Sequence, residues 1–131
     1  MSANPRDMLP RDKHDTDRAR AIVELGYPAV RSVLPELLGW LKDINWPVAK
    51  VLQPFLAKIG APLASEVRNV LSSNDGLWKL WVISEVVAQS RELAAELLAD
   101  LERLAERPTN DEKTEEVDVV ARDVLTQLGQ S

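Results

Sequence analysis

The sequence predicts an all-α chain: a short helical-repeat, α-solenoid domain of about seven helices. Three observations carry that expectation. Apolar residues recur at spacings of three and four along most of the chain, the period of a helix buried on one face. Gly26-Tyr27-Pro28 and Gly60-Ala61-Pro62 set a helix stop directly before a helix start, 34 residues apart. No stretch of useful length alternates with period two, and neither an Asn-Gly hairpin nor a βαβ rhythm competes.

The elements follow in order. Residues 1–8 hold Pro5 and no apolar core segment, so they read as a flexible N-terminus ahead of a single domain over 9–131. A first helix spans 16–25, with Asp15 or Thr16 as its N-cap and Gly26 as its stop. Pro28, Pro47 and Pro62 open helices at 28–42, 47–59 and 62–72, because proline at the first helical position loses no hydrogen bond. Tyr27, Trp46 and Ala61, each before a proline, belong to the turns. Pro35 and Pro54 fall seven residues after a helix-opening proline and should kink their helices. A fifth helix covers 76–89. In 91–106 Ser90 caps the start, and Leu93, Leu97, Leu98, Leu101 and Leu104 form one buried stripe. After a break at Pro108 and Asn110, a Thr109–Glu112 capping box opens 112–128. Its core face is Val117, Val120, Ala121, Val124, Leu125 and Leu128, and Gly129 stops it. Asp43 and Trp46 recur as Asp75 and Trp78 at an offset of 32, a second sign of stacked hairpins.

The chemistry in the chain is sparse. With 131 residues, 45% hydrophobic and 28% charged, this is one soluble globular domain rather than a disordered or membrane-spanning chain. There are no cysteines and one histidine, so thiol nucleophiles and disulfides are excluded and little remains for a metal site. The five glycines are scattered, and no phosphate-cradling loop or nucleophile elbow is present. Asp12-Lys13-His14-Asp15 packs the lone histidine between acids, a pattern able to serve as a general base or metal ligand. Asp15 as a helix cap accounts for the same residues without catalysis.

Charge and aromatics point to a binding surface. Residues 1–90 carry 11 Lys/Arg against 10 Asp/Glu, whereas 91–131 carry 5 against 11. This acidic end disfavours nucleic acid and favours a cationic partner, although a solvated helix face produces the same count. Four tryptophans accompany one tyrosine and one phenylalanine. Trp40 and Trp81 lie in apolar runs and read as core. Trp46 and Trp78 lie near helix starts beside Asp43, Asn45, Asp75 and Lys79, and these six form a candidate protein-binding ridge.

Leu9-Pro10-Arg11-Asp12-Lys13-His14-Asp15, Leu25-Gly26-Tyr27-Pro28, Asp43-Ile44-Asn45-Trp46-Pro47-Val48-Ala49 and Gly60-Ala61-Pro62-Leu63-Ala64 together resemble a small bacterial family of domains of unknown function, family 5071. The resemblance runs from Leu9 to Leu128. It implies a HEAT-like helical protein and, by analogy of fold, an immunity protein that holds a toxin inactive. It brings no catalytic residues.

The expectation is therefore a non-catalytic, cytoplasmic protein-binding module without cofactor. It takes another protein, such as a basic toxin or effector, and neither nucleic acid nor membrane. A small hydrolytic or metal-dependent enzyme using His14, and an adaptor within a larger assembly, are the alternatives.

Overall fold

The computed structural model describes residues 4–129. Among them are nine α-helices joined by 3₁₀ turns, and no strand. The helices are α1 (Thr16–Leu25), α2 (Leu34–Gly39), α3 (Pro47–Ile59), α4 (Ala64–Leu71), α5 (Gly76–Glu85), α6 (Arg91–Glu96), α7 (Leu98–Glu106), α8 (Asn110–Thr114) and α9 (Val117–Gly129). No helix among these residues is long and apolar enough to cross a membrane.

Local capping chemistry sets most boundaries. The Asp15 carboxylate accepts from the Arg18 N–H, and Gly26 closes α1 at φ 76°, a backbone region where a Cβ is costly. Pro47 occupies the first turn of α3, and Gly60 ends it at φ 74°. Ser90 accepts from the Leu93 N–H at 3.2 Å, and Thr109 and Glu112 form the capping box in both directions. Gly129 is the last residue of α9.

Elsewhere the expected helices are shorter and more broken. Pro28 follows a cis peptide bond within a turn, and helical backbone begins only at Arg31, so Pro28 does not open a helix. Pro35 consequently lies in the first turn of α2, where no backbone bond is lost, and kinks nothing. Pro54 does lie inside α3, on its exposed side, where water can serve the carbonyl four residues back. The 91–106 helix breaks at Leu97, and Leu98 emerges 46% exposed rather than joining the buried stripe. The 112–128 helix breaks at Glu115–Glu116, with Glu116 in the left-handed region at φ 60°.

The expected flexible segment 1–8 is a packed turn from Asn4 onward, residues 1–3 lying outside the described residues. Asn4 caps the 3₁₀ turn Pro5–Met8, Arg6 pairs with Glu36 at 3.1 Å, Arg18 donates to the Asp7 carbonyl, and Met8 packs on the core.

One apolar cluster joins all of this. It takes Ala19 and Ile22 from α1, Leu34, Leu37 and Leu38 from α2, and Leu52 and Leu56 from α3. Val82 and Ile83 of α5, Leu101 and Leu104 of α7, and Val117, Ala121 and Val124 of α9 complete it. α5 is central, packing against α3, α4, α8 and α9, while α9 lies along α7. Burial of so many aliphatic side chains, each worth about 1.5–3 kcal/mol, is what holds short helices that would be marginal alone.

Candidate functional site

The six ridge residues divide between two places. Asp43 closes the turn into α3: its carboxylate accepts from the Asn45 N–H at 2.9 Å and its carbonyl from the Trp46 N–H at 3.1 Å. Trp46 thus sits at the N-cap position of α3 with extended backbone, and its ring meets Trp40 edge-on, centroids 5.8 Å apart at 72°. Asp75 does the equivalent work for α5, accepting from the Trp78 N–H at 3.0 Å. Trp78 then donates its indole N–H to the Leu38 carbonyl at 2.8 Å, and the Lys42 ammonium lies 4.7 Å above its ring. Segment 38–46 is therefore tied to α5 at Trp78 through Leu38 and Lys42, the cation–π contact adding about 0.5–1 kcal/mol, and is braced internally by the Trp40–Trp46 pair. Nothing in the sequence pattern singles out Lys42.

A groove borders Trp78, with a hollow of about 80 Å³ among Pro35, Leu38, Glu66 and Val70. It shares Pro35 and Glu66 with an open depression of about 510 Å³ running to Pro28. Asn45 and Lys42 are exposed, and Asp43, Trp46, Asp75 and Trp78 are half-buried. Trp40 also packs on the core from a half-buried position, and Trp81 is half-buried.

Lys79 is not on this surface. It is 4% exposed, because it shares the inner face of α5 with Gly76, Val82 and Ile83. Its ammonium donates to Glu112 at 2.7 Å, and Arg103 grips the same carboxylate with two bonds of 2.8 and 2.9 Å. Glu112 also accepts from the Thr109 N–H at 2.8 Å. Burial pushes this carboxyl up, but the bonds from Arg103, Lys79 and Thr109 outweigh it and hold its pKa at about 2. The same pairing raises Arg103 above its ordinary value. Next to it, Asp111 accepts from the Gly76 N–H at 2.7 Å. The cluster floors a cleft of about 440 Å³ edged by Ser72, Ser73 and Asn74. Its charges are mutually satisfied, and its physical effect is to pin α8 to α5 and α7.

The Asp12–Asp15 segment is occupied by its own backbone. Asp12 accepts from the His14 N–H at 2.8 Å, and Asp15 from the N–H groups of Arg11 and Arg18. His14 is exposed. Among the described residues no three His, Asp or Glu side chains converge as metal ligands would.

The C-terminal half presents a third arrangement. Arg103 is spent on Glu112, Arg122 pairs with Asp118 at 3.4 Å and donates to the Ala105 carbonyl, and Arg91 donates to the Gln127 and Leu128 carbonyls. Glu92, Glu96, Glu102, Glu106, Glu116 and Asp123 remain exposed.

The described residues thus form an all-helical domain. The family described as Domain of unknown function (DUF5071) matches residues 8–125, and the chain belongs to it. No curated protein matches the chain.

Proposed function

We propose that this chain is a non-catalytic protein-binding module, a short HEAT-like stack of helical hairpins whose acidic C-terminal half meets a basic partner. In the sharpest form of this reading the chain is an immunity protein and the partner a toxin or effector that it holds inactive. The observation that carries it is the segregation of charge: three of the five cations beyond residue 90 are committed to internal contacts, while six acids of the same segment face solvent. A one-sign surface of this kind steers a cationic partner and speeds its association at low salt. The run of packing contacts from α1 to α3 to α5 to α9 supports the stacked-hairpin description. The tryptophan surface carries less of the reading, because Trp40, Trp46 and Trp78 already have internal partners; Asp43, Asn45 and Lys42 beside them offer a second contact area.

The test is direct binding between this chain and the product of the gene encoded beside its own, since toxins and their inhibitors are commonly neighbours. A stoichiometric complex by calorimetry, with an association rate that falls as salt rises, is expected. No detectable complex at about 10 μM and low ionic strength, where even a roughly micromolar interaction registers, overturns the reading.

A further inference from the structure

The hollow beside Trp78 is lined by a single charged residue, and that residue is an acid. Pro35, Leu38, Val70 and the Trp78 ring make its apolar walls, and Glu66 and Asn69 its polar rim. The indole wall is fixed in place, since the Leu38 carbonyl holds its N–H at 2.8 Å. Glu66 is half-buried, and among the described residues its carboxylate makes no ion pair; it accepts from the Asn69 amide at 3.5 Å. Arg68, two residues on, turns instead to Asp100 at 3.1 Å and to the Glu96 carbonyl at 2.7 Å. Lys42 approaches the Trp78 ring but does not line the hollow. What stands open is an apolar slot with an uncompensated carboxylate at its rim.

We propose that this slot seats one arginine side chain of the protein partner, carried on an extended segment. The proposal rests on the protein-binding reading above and deepens it. A volume of about 80 Å³ holds roughly six water-sized groups, which suits one long side chain and is too little for the ridge of a helix. Arginine matches both parts of the lining. Its methylene stem covers apolar surface while the guanidinium stays at the wet rim. There it donates as a fork to the Glu66 carboxylate and reaches the Asn69 side-chain oxygen, which its amide nitrogen's bond to Glu66 leaves free to accept. An acidic side chain is opposed by the same carboxylate, and an apolar one leaves it unpaired. The adjoining depression, which Pro28, Arg31 and Ser32 also line, gives the flanking residues of the segment a place to lie. Arg31, without an ion pair among the described residues, offers donors to their carbonyls. A second copy is the poorer occupant, because it brings a chain of net −5 rather than a basic one.

The probe is a glycine–arginine–glycine tripeptide blocked at both ends, with glutamine in place of arginine as the neutral control. It is titrated into the isotope-labelled full chain at low salt to about 20 mM, where a roughly millimolar site saturates. The arginine peptide should move the Trp78 indole N–H and the amides of Glu66, Asn69 and Val70, and should bind at least about tenfold more tightly than the control. Glu66→Gln keeps the shape of the rim and removes its charge, and should weaken binding by about tenfold or more. Asn69→Arg, at an exposed position one turn along α4, supplies the slot with a guanidinium of the chain's own and should abolish it. Glu24→Gln, which removes an exposed acid on α1, should leave binding unchanged. Equal binding of the two peptides, indifference to both slot variants, or saturable shifts centred on α6, α7 and α9 instead would each overturn the proposal. So would a concentration-dependent dimer that Asn69→Arg abolishes, which would assign the slot to self-association. A neighbour-encoded partner that binds Glu66→Gln and Asn69→Arg as tightly as the parent removes this slot but keeps the protein-binding reading. Absence of that partner, with arginine-specific peptide binding at the slot intact, does the reverse.

Discussion

Replacing Glu112 with glutamine isolates the charge of the buried cluster from its shape. Glutamine is nearly isosteric and still accepts from the Thr109 N–H, so the capping box survives. What disappears is the carboxylate paired with Lys79, whose side chain is 5% exposed, and the bidentate partner of Arg103. Arg103, 35% exposed, can turn to water, but Lys79 cannot without unpacking α5 from α8. Breaking one side of a buried pair costs about 3–5 kcal/mol. The depressed pKa of Glu112 leads to a consistent figure. A carboxyl moved from 4.5 to about 2 contributes about 3 kcal/mol to folding. Because its folded pKa is depressed, that contribution is complete above about pH 4.5 and is lost as the pH falls toward 2. Urea denaturation at pH 7 should therefore show Glu112→Gln destabilised by about 3–5 kcal/mol, and thermal unfolding should show a drop of about 4 °C per kcal/mol for a chain this size. Across pH 5 to 2 the variant should lose less stability than the parent. A Lys79→Met, Glu112→Gln double variant, with the buried ammonium gone, should recover part of the loss. A single variant within about 1 kcal/mol of the parent at pH 7, with an unchanged acid profile, would refute the assignment of this cluster as the lock between α5, α7 and α8.

Three further outcomes follow from local geometry. Gly76→Ala places a Cβ 2.7 Å from the Asp111 carboxylate and 3.0 Å from its backbone oxygen, so calorimetric unfolding should register a loss of about 1–3 kcal/mol. Asp111→Ala in the same background should rescue only partly, since the backbone contact persists. Glu116→Gly removes a side chain from φ 60°, and chemical denaturation should show a gain of about 0.5–1 kcal/mol, the reverse of glycine's usual effect. Trp78→Phe deletes the indole N–H that serves the Leu38 carbonyl, with an expected loss of about 1–2 kcal/mol and greater exchange of amides in the 38–46 segment by hydrogen–deuterium exchange.

What was legible in the sequence is what a few adjacent residues decide. The bounds of α1 and α3 coincide with the expected 16–25 and 47–59, because Asp15, Pro47, Gly26 and Gly60 act through the backbone beside them. The Thr109–Glu112 box is equally local. The Asp43–Trp46 and Asp75–Trp78 echo has a local cause too: in both places an aspartate closes the turn on which a tryptophan enters a helix, by its carbonyl in the first case and its carboxylate in the second. Hydrogen-bond chemistry of that kind generates matched spacing without requiring a matched repeat.

What was not legible depends on partners distant in the chain. Lys79 looks like a surface lysine beside Trp78 until Glu112, 33 residues on, is folded against it. Leu98 looks like core because its heptad neighbours are core, and only the interruption at Leu97 separates them. These two misreadings are opposite in sign and share an origin: helical periodicity assumes an unbroken helix and an apolar interior. A lysine enters the interior when a carboxylate and a second cation compensate it, and a leucine leaves when the helix it belongs to restarts. In the second case the break itself makes the surface: Leu98 stands 46% exposed where an unbroken apolar stripe would have buried it.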